Sequence, residues 1–421
     1  MKINPHTKNS YFKNRTKHGL SFGVGVNSDS KKIKEILTRG VEEVINLDHL
    51  RKRLLSGRVL RIKHGIDPTG PQIHIGRAVQ LWKLKDFQEL GHKIILIIGD
   101  FTAQIGDASD KQAMRRPLTT KEVKENMKDY IKQIGKILDI TKVEFHYNSE
   151  WLNKLTAKEL LNLAMNFTAQ QTIQRRNFKE RWEAGKPIGL HELDYPLLQG
   201  YDSVQVKADV ELGGFDQLFN LKVARDIQKI FSQEPQDIMT LKMLFGPDGR
   251  KMSTSWGNVI NITDKPEEQF GKIMSMKDEF ILDYFELCTR NPAGEIKNMG
   301  NKLKCGQVNP NDLKIKLARE IVKMYYGETA ALKAEREFKM VFKEKKLPSK
   351  ILGVRIKEEK LNILEFLVKT KLVSSKSEAK RLILQKGVKI DGEIQGNWQK
   401  IIGIKKGIVI QVGKRRFVKA I

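Results

Sequence analysis

Residues 58–100 read RVLRIKHGIDPTGPQIHIGRAVQLWKLKDFQELGHKIILIIGD, and the order of patterns inside them decides the fold. Arg58 to Ile66 predicts a short strand. The loop Asp67-Pro68-Thr69-Gly70-Pro71 ends it, and a helix follows from about His74 to Leu90, terminated by Gly91. Lys93 to Ile98 is an almost unbroken apolar run leading into Gly99-Asp100. Such a run suits a strand covered on both faces, as in a parallel sheet. Strand, loop, helix and buried strand in about 40 residues make a βαβ unit.

Working outward, Lys31 to Leu55 predicts helix, with Ile33, Leu37, Val41, Val44 and Ile45 at helical spacing. Thr119-x-x-Glu122 and Thr156-x-x-Glu159 have capping-box form and mark helix starts. Val204 to Leu212 reads as a strand leading into Gly213-Gly214. Glu267 to Phe342 reads as helical, broken at Asn291-Pro292 and Asn309-Pro310. A charged linker opens at Lys343. Two short helices follow, then β-rich Val388 to Val418 with turns at Asp391-Gly392 and Lys406-Gly407. The expected division is a basic, disordered arm (1–30), an α/β domain (31–265), an α-helical domain (266–342), a linker (343–357) and a small α+β domain (358–421).

A chain of 421 residues is too long for one core, and two or three domains are the natural expectation. With 40% hydrophobic and 30% charged residues it has the balance of a globular protein. No apolar run approaches the roughly 20 residues of a membrane-spanning helix. Cys288 and Cys305 sit in no CxxC or Cys/His cluster, which argues against a disulfide framework or structural zinc and for a reducing, cytoplasmic setting. The net charge of +27 points to a polyanionic partner, with a lysine-rich solvated surface as the bland alternative. Position favours the partner: residues 351–421 carry 17 Lys+Arg against 6 Asp+Glu, a net of +11. The first 28 residues hold Lys2, Lys8, Lys13, Arg15 and Lys17 and no acid. They lack the apolar stretch of a secretory signal; a disordered basic arm is the plainer reading, an organelle transit peptide the other.

Three constellations carry chemistry. In Gly65-Ile66-Asp67-Pro68-Thr69-Gly70-Pro71-Gln72-Ile73-His74-Ile75-Gly76-Arg77, unpaired amides at a helix start suit a polyphosphate, His74 and Thr69 add donors, and Gly76 admits a close neighbour such as a nucleobase. In Gly249-Arg250-Lys251-Met252-Ser253-Thr254-Ser255-x-Gly257-Asn258, two cations and three hydroxyls between glycines make a loop able to clamp phosphates. Either alone is an ordinary turn; together, in this order, they are specific. Third, Tyr195, Gln199 and Asp202 stand at i, i+4 and i+7, one face of a helix.

The two loops resemble the HIGH and KMSKS signatures of class I aminoacyl-tRNA synthetases. Asp67-Pro68-Thr69, Ile98-Gly99-Asp100-Phe101-Thr102, Ile105-Gly106-Asp107, Tyr195 to Asp202 and Gly213-Gly214-Phe215-Asp216-Gln217 look like the bacterial-type tyrosyl-tRNA synthetase family, over about residues 31 to 421. The resemblance implies a Rossmann-like catalytic domain with a helical insertion, followed by the helical domain and the RNA-binding domain named for the fourth small-subunit ribosomal protein. It implies activation of L-tyrosine with ATP and Mg2+, without a prosthetic group or protein-bound metal, and transfer to tRNA(Tyr). A homodimer through helices inserted after Leu118 and no membrane association go with it. It places the tyrosine ammonium at Asp107, Tyr195 and Gln199, the phenolic hydroxyl at Asp202 and the carboxylate by Gln217, with Asp67 in the same site. Gly214 and Asp216 go to the ATP ribose, Gly76, Met252 and Ser253 to the nucleotide, and Thr69, His74 and Lys251 to the phosphates. In the tail, Ser375 and Glu378 cap a basic helix, and Lys380, Arg381, Lys386 and Arg415 are candidate RNA-phosphate contacts.

Three positions depart from the family pattern. Arg77 replaces the last histidine of the first motif and cannot accept a proton, though it can lie along the nucleotide or a phosphate. Thr254 replaces the second lysine of the other loop and removes a charge that Lys251 or Arg250 is left to supply. Lys63 stands where many members have a second phenol-binding tyrosine. The tyrosine carboxylate is ionised at neutral pH and needs no general base, so the want of a Ser/His/Asp or Cys/His device is expected. The rivals are a tryptophanyl-type synthetase and a catalytically retired paralogue that only binds RNA.

Overall fold

A computed structural model describes residues 26–107, 117–342, 351–356, 358–413 and 416–421. The arm up to residue 25, residues 343–350 of the expected linker, and Arg415 lie outside the described residues. Six strands form the main sheet: β1 (Val41–Ile45), β2 (Arg61–Ile66), β3 (Lys93–Ile98), β4 (Val143–Tyr147), β5 (Val210–Gly214) and β6 (Asp237–Leu241), in the order β1-β6-β5-β2-β3-β4. All neighbours are parallel except β1, which pairs antiparallel with β6. The helix Ile75–Glu89 links β2 to β3, whose register runs from Arg61 opposite Lys93 to Ile66 opposite Ile98. In β3, Ile94, Leu96 and Ile98 enter the main core, while Ile95 and Ile97 pack on the other face with Val206 and Ala208. Both faces are covered, as the unbroken apolar run requires.

Residues 31–55 are not one helix. Helix Ser30–Thr38 stops, Gly40 turns the chain at φ 62°, and β1 precedes a second helix, Leu47–Leu55. Val41, Val44 and Ile45 satisfy a helical period, but β-branched residues beside the open edge of β6 gain a ladder there: Val41 faces Leu241 and Ile45 faces Ile238. The segment Val204–Leu212 is likewise divided. Helix Leu190–Val206 continues through Val204, Lys207 ends it at φ 48°, and β5 begins at Val210.

Helices Pro266–Met274, Ile281–Cys288, Ala293–Lys304, Pro310–Tyr326 and Glu328–Phe342 follow, and both Asn-Pro breaks fall between helices. Phe270, Tyr284, Leu317 and Ile321 share one continuous core with Leu81 and Phe87 of the sheet's helix. The C-terminal segment has its own core around Phe366, Leu367, Ile383, Val388 and Ile410. There Ser375 accepts from the Glu378 amide, but the Glu378 carboxylate bonds Ser374 rather than Ser375, so the expected box closes one residue early. No helix among the described residues is long and apolar enough to cross a membrane.

Helix Leu190–Val206, which carries the third constellation, is anchored at its start. Arg181 forks onto Glu192 at 3.0 and 2.8 Å, both side chains being 1% exposed, and Glu192 also accepts from the Gly189 amide. Farther along, Gly200 lets it lie against helix Leu218–Ile230: a methyl there would meet Ile227 Cδ1 at 2.6 Å and the Ala224 Cα at 3.1 Å. Backbone cannot swing aside. Gly200→Ala should therefore lower stability by about 1–3 kcal/mol in urea unfolding, whereas Gly294→Ala, with open space around it, should not. Equal midpoints for the two variants would refute this close packing.

Candidate functional site

The sheet reverses its direction of growth between β2 and β5, and such a switch point opens a crevice beyond the strands' carboxyl ends. A cleft of about 560 Å³ lies there, lined by the loop after β2, the Gly213-Gly214 end of β5, helix Leu190–Val206 and the loop around Lys251. All three constellations thus meet in one place. The centre is Asp67: its carboxylate accepts from Tyr195 Oη at 2.9 Å and from Thr102 Oγ1 at 2.8 Å. A methyl at Gly99 would stand 2.0 Å from that carboxylate, so the closeness of β3's end to Asp67 requires glycine.

Asp202 lies at one end, 4% exposed, accepting from Trp151 Nε1 at 2.7 Å and Asn148 Nδ2 at 3.3 Å. Burial pushes its pKa up to about 7, against the opposing pull of Lys63, Trp151 and Asn148. Tyr195 is buried, and its phenol is held well above its usual range by desolvation and by Asp67 and Asp107. Toward the opening, Gln217 Nε2 donates to Asp107 at 2.6 Å, and Asn220 donates to both Gln199 and Gln217 at 3.0 Å. Behind Asp107 lies Arg175, 3.8 Å from its carboxylate and stacked 5.1 Å from the rings of Phe178 and Phe219.

Lys63 does not reach into the cleft. Fully buried, its ammonium pairs with Glu211 at 2.8 Å and donates to Ser203 Oγ at 2.6 Å and the Gln199 carbonyl at 3.0 Å. Glu211 also accepts from Ser203, Gln236 and, at 3.3 Å, Gln199. His64 is buried beside it; its Nδ1 bonds the Leu212 carbonyl, and burial lowers its pKa to about 4.

At the other end, His74 caps helix Ile75–Glu89, its Nδ1 accepting from the Arg77 amide at 3.3 Å. That bond places the ring proton on Nε2. Burial, then Arg77 and Lys251, lowers its pKa to about 3, so at neutral pH it is an uncharged donor. Arg77 donates to Thr69 Oγ1 at 2.6 Å and Tyr130 Oη at 3.0 Å. Across the opening, Lys251 pairs with Asp216 at 3.1 Å and Met252 is buried. Gly76, Gly214, Ser253 and Thr254 line the same cleft. Arg250 is engaged within its own loop, by Asp248 and over the Trp256 ring, with Asn258 stapling the loop through Asp248, Lys251 and Ser253.

Away from the cleft, Lys380, Arg381 and Lys386 are exposed, with Lys380 Nζ 4.1 Å over the Trp398 ring. Among the described residues no group of His, Cys, Asp and Glu is arranged to hold a metal. The motifs did not disclose Asn148, Trp151, Asn220 and Arg175, and they contained Thr102 without a role. Position after a parallel strand is the signal that could have found Asn148, since Tyr147 stands opposite Ile98.

Residues 55–343 match the family described as tRNA synthetases class I (W and Y), and residues 337–419 match the tyrosine–tRNA ligase SYY-like C-terminal domain. Among curated relatives, the tyrosine–tRNA ligase of Moorella thermoacetica is 46% identical over 389 residues, covering 91% of this chain and 94% of its own. That of Carboxydothermus hydrogenoformans is 46% identical over 408 residues, 93% and 98% of the two chains. The solved Archaeoglobus fulgidus tyrosyl-tRNA synthetase, complexed with L-tyrosine, superposes with a TM-score of 0.58 at 25% identity over 73% of this chain and 99% of that one.

Asp202 couples ionisation to stability. Unfolded, its carboxyl titrates near 4; folded, near 7, so unfolding releases a proton between those values. The contribution is present below about pH 4 and is lost as pH rises to about 7, at up to about 1.4 kcal/mol per pH unit. Asp202→Asn should lose this slope. Parallel pH–stability curves for the two proteins between pH 4 and 7 would show Asp202 to be an ordinary carboxylate.

Proposed function

The chain belongs to the tyrosyl-tRNA synthetases of class I, and we propose that its cleft holds tyrosine between Asp202 and Asp107, with ATP spanning the two signature loops. The reaction is activation of tyrosine by ATP, then transfer of the tyrosyl group to the 3′ end of tRNA. One observation carries the site assignment: a single helix turns Tyr195, Gln199 and Asp202 to the cleft that also contains the first motif's loop.

The phenolic hydroxyl donates to Asp202, and the ammonium lies among Asp107, Tyr195 and Gln199, with Gln217 by the carboxylate and Asp67 bracing Tyr195. Only the ionised form of Asp202 is a pure acceptor, and Trp151 and Asn148 favour that form. Phenylalanine would leave the buried acceptor without its partner, at the full desolvation penalty. A tyrosine carboxylate oxygen attacks the α-phosphorus; the new O–P bond forms as the bond to the β-phosphate oxygen breaks, and pyrophosphate leaves with Mg2+ that arrived with ATP. No proton moves. Thr69, His74 as a neutral Nε2 donor, Arg77 and Lys251 stabilise charge on the leaving group, while Gly214 and Asp216 lie by the ribose and Gly76, Met252 and Ser253 by the nucleotide.

Lys380, Arg381, Lys386 and Arg415 serve as RNA-phosphate contacts, positioning tRNA rather than reading bases. The inserted helices expose Leu161, Met165, Trp182 and Leu190, large apolar side chains that suit a homodimer face. The working compartment is the cytoplasm.

Tyrosine should support ATP–pyrophosphate exchange and tryptophan should not; exchange with tryptophan alone would sink the specificity assignment. Thr69→Ala and His74→Ala should each slow adenylate formation by about 10²–10³-fold while changing tyrosine affinity little. Loss of tyrosine binding with an unchanged rate would place both residues at the wrong substrate. Met165→Asp, at a side chain 83% exposed, should halve the mass seen by sedimentation if the homodimer face is right.

A further inference from the structure

The two departures from the signature loops meet adjacent residues, Thr69 and Gly70, of the loop after β2. Arg77 Nη2 reaches Thr69 Oγ1 at 2.6 Å, and Thr254 packs over the next residue: its Cγ2 is 3.4 Å from where a Gly70 Cβ would be. A histidine has become an arginine on the fixed helix, and a lysine has become a threonine on the loop opposite. Both side chains line the phosphate end of one cleft.

Charge accounting gives this meaning. The lysines and arginines lining the cleft, among the described residues, are Arg77, Lys242 and Lys251. Lys242 is paired with Glu286 and Lys251 with Asp216, whereas Arg77 is held by hydroxyl and carbonyl oxygens of Thr69, Tyr130 and Asp67 and has no carboxylate partner among those residues. Arg250, the other cation available to the loop, is occupied by Asp248. His74 is uncharged where it stands. Among the described residues that line the cleft, the cation without a carboxylate partner is therefore Arg77, and it faces the Thr69 hydroxyl.

We propose that Arg77 supplies, from the helix start, the positive charge on the leaving pyrophosphate that Thr254 cannot supply from the loop opposite. The proposal rests on the phosphate end being assigned as above. A cation fixed by three oxygens is preorganised for the charge that develops on the leaving group. Because the charge has changed sides rather than vanished, the two positions form one functional unit, and their effects should not add.

The test is a double-mutant cycle in the full-length chain, with single-turnover adenylate formation measured at saturating tyrosine across MgATP concentrations. Arg77→Gln should slow the step about 10²–10³-fold while tyrosine affinity, by equilibrium dialysis, moves little. Thr254→Lys should speed the step less in the parent protein than in Arg77→Gln. Added to Arg77→Gln, it should restore at least about tenfold. Arg77→Lys, which keeps the charge but loses the fork, should fall between the parent and Arg77→Gln. Failure of Thr254→Lys to rescue Arg77→Gln, or Arg77→Lys as slow as Arg77→Gln, makes Arg77 a brace for Thr69 and Tyr130 and overturns the exchange. A slow Thr69→Ala protein beside a failed rescue overturns the charge exchange alone; a Thr69→Ala protein at full rate overturns the phosphate-end assignment with it.

Discussion

A half-buried carboxylate that must keep its donors holds this site together. Asp67 stands where β2 ends and the sheet changes direction, and it draws a hydroxyl from Tyr195 on one helix and another from Thr102 after β3. Its carbonyl receives Arg77 from the helix start at 3.4 Å. Three elements that share no local sequence are thereby fixed to one residue. The arrangement is steep: Gly99 leaves no room for a methyl, and Thr102 in turn receives Asn148, which also supports Asp202. Loss of any one donor strands the next acceptor, which is how a polar network enforces a single geometry.

Lys63 shows the same economy of space beneath the cleft. Glu211 lines the floor, and an unpaired carboxylate there would be strongly disfavoured. Lys63 answers it from the far side at 2.8 Å, together with Ser203 and Gln236. A lysine committed to this pair cannot also meet a substrate phenol. The consequence is that Asp202, rather than Lys63, faces the cleft, its ionisation supported by Trp151 and Asn148 and opposed by its own burial. Removing Lys63 would leave Glu211 exposed to that same penalty.

Local pattern was enough for the βαβ unit, because apolar continuity in Lys93–Ile98 and the glycine after Leu90 are local facts. It was enough too for the shared helix face of Tyr195, Gln199 and Asp202. It failed where the deciding partner is remote. Val41 to Ile45 have a helical period, yet the edge of β6, almost 200 positions on, makes them a strand. Trp151 and Asn220 are ordinary residues until folding brings them to Asp202 and to Gln199, and no motif spacing relates those segments. Lys63 was recognisable as a departure, but its direction depends on Ser203 and Glu211, on two other elements at least 140 positions on.

The two ends of the cleft respond differently to protons, and this follows from which residues were placed there. Where the two signature loops meet, His74 is buried beside Arg77 and Lys251, so its ring takes a proton only near pH 3. A histidine at position 77 would have brought a second titrating ring against the first. With arginine there, no second imidazole stands against His74. The amino-acid end holds Asp202, which titrates near 7. Near neutral pH a titrating group of this cleft thus stands at the Asp202 end, away from the end where we propose the chemistry at phosphorus, which needs no proton transfer.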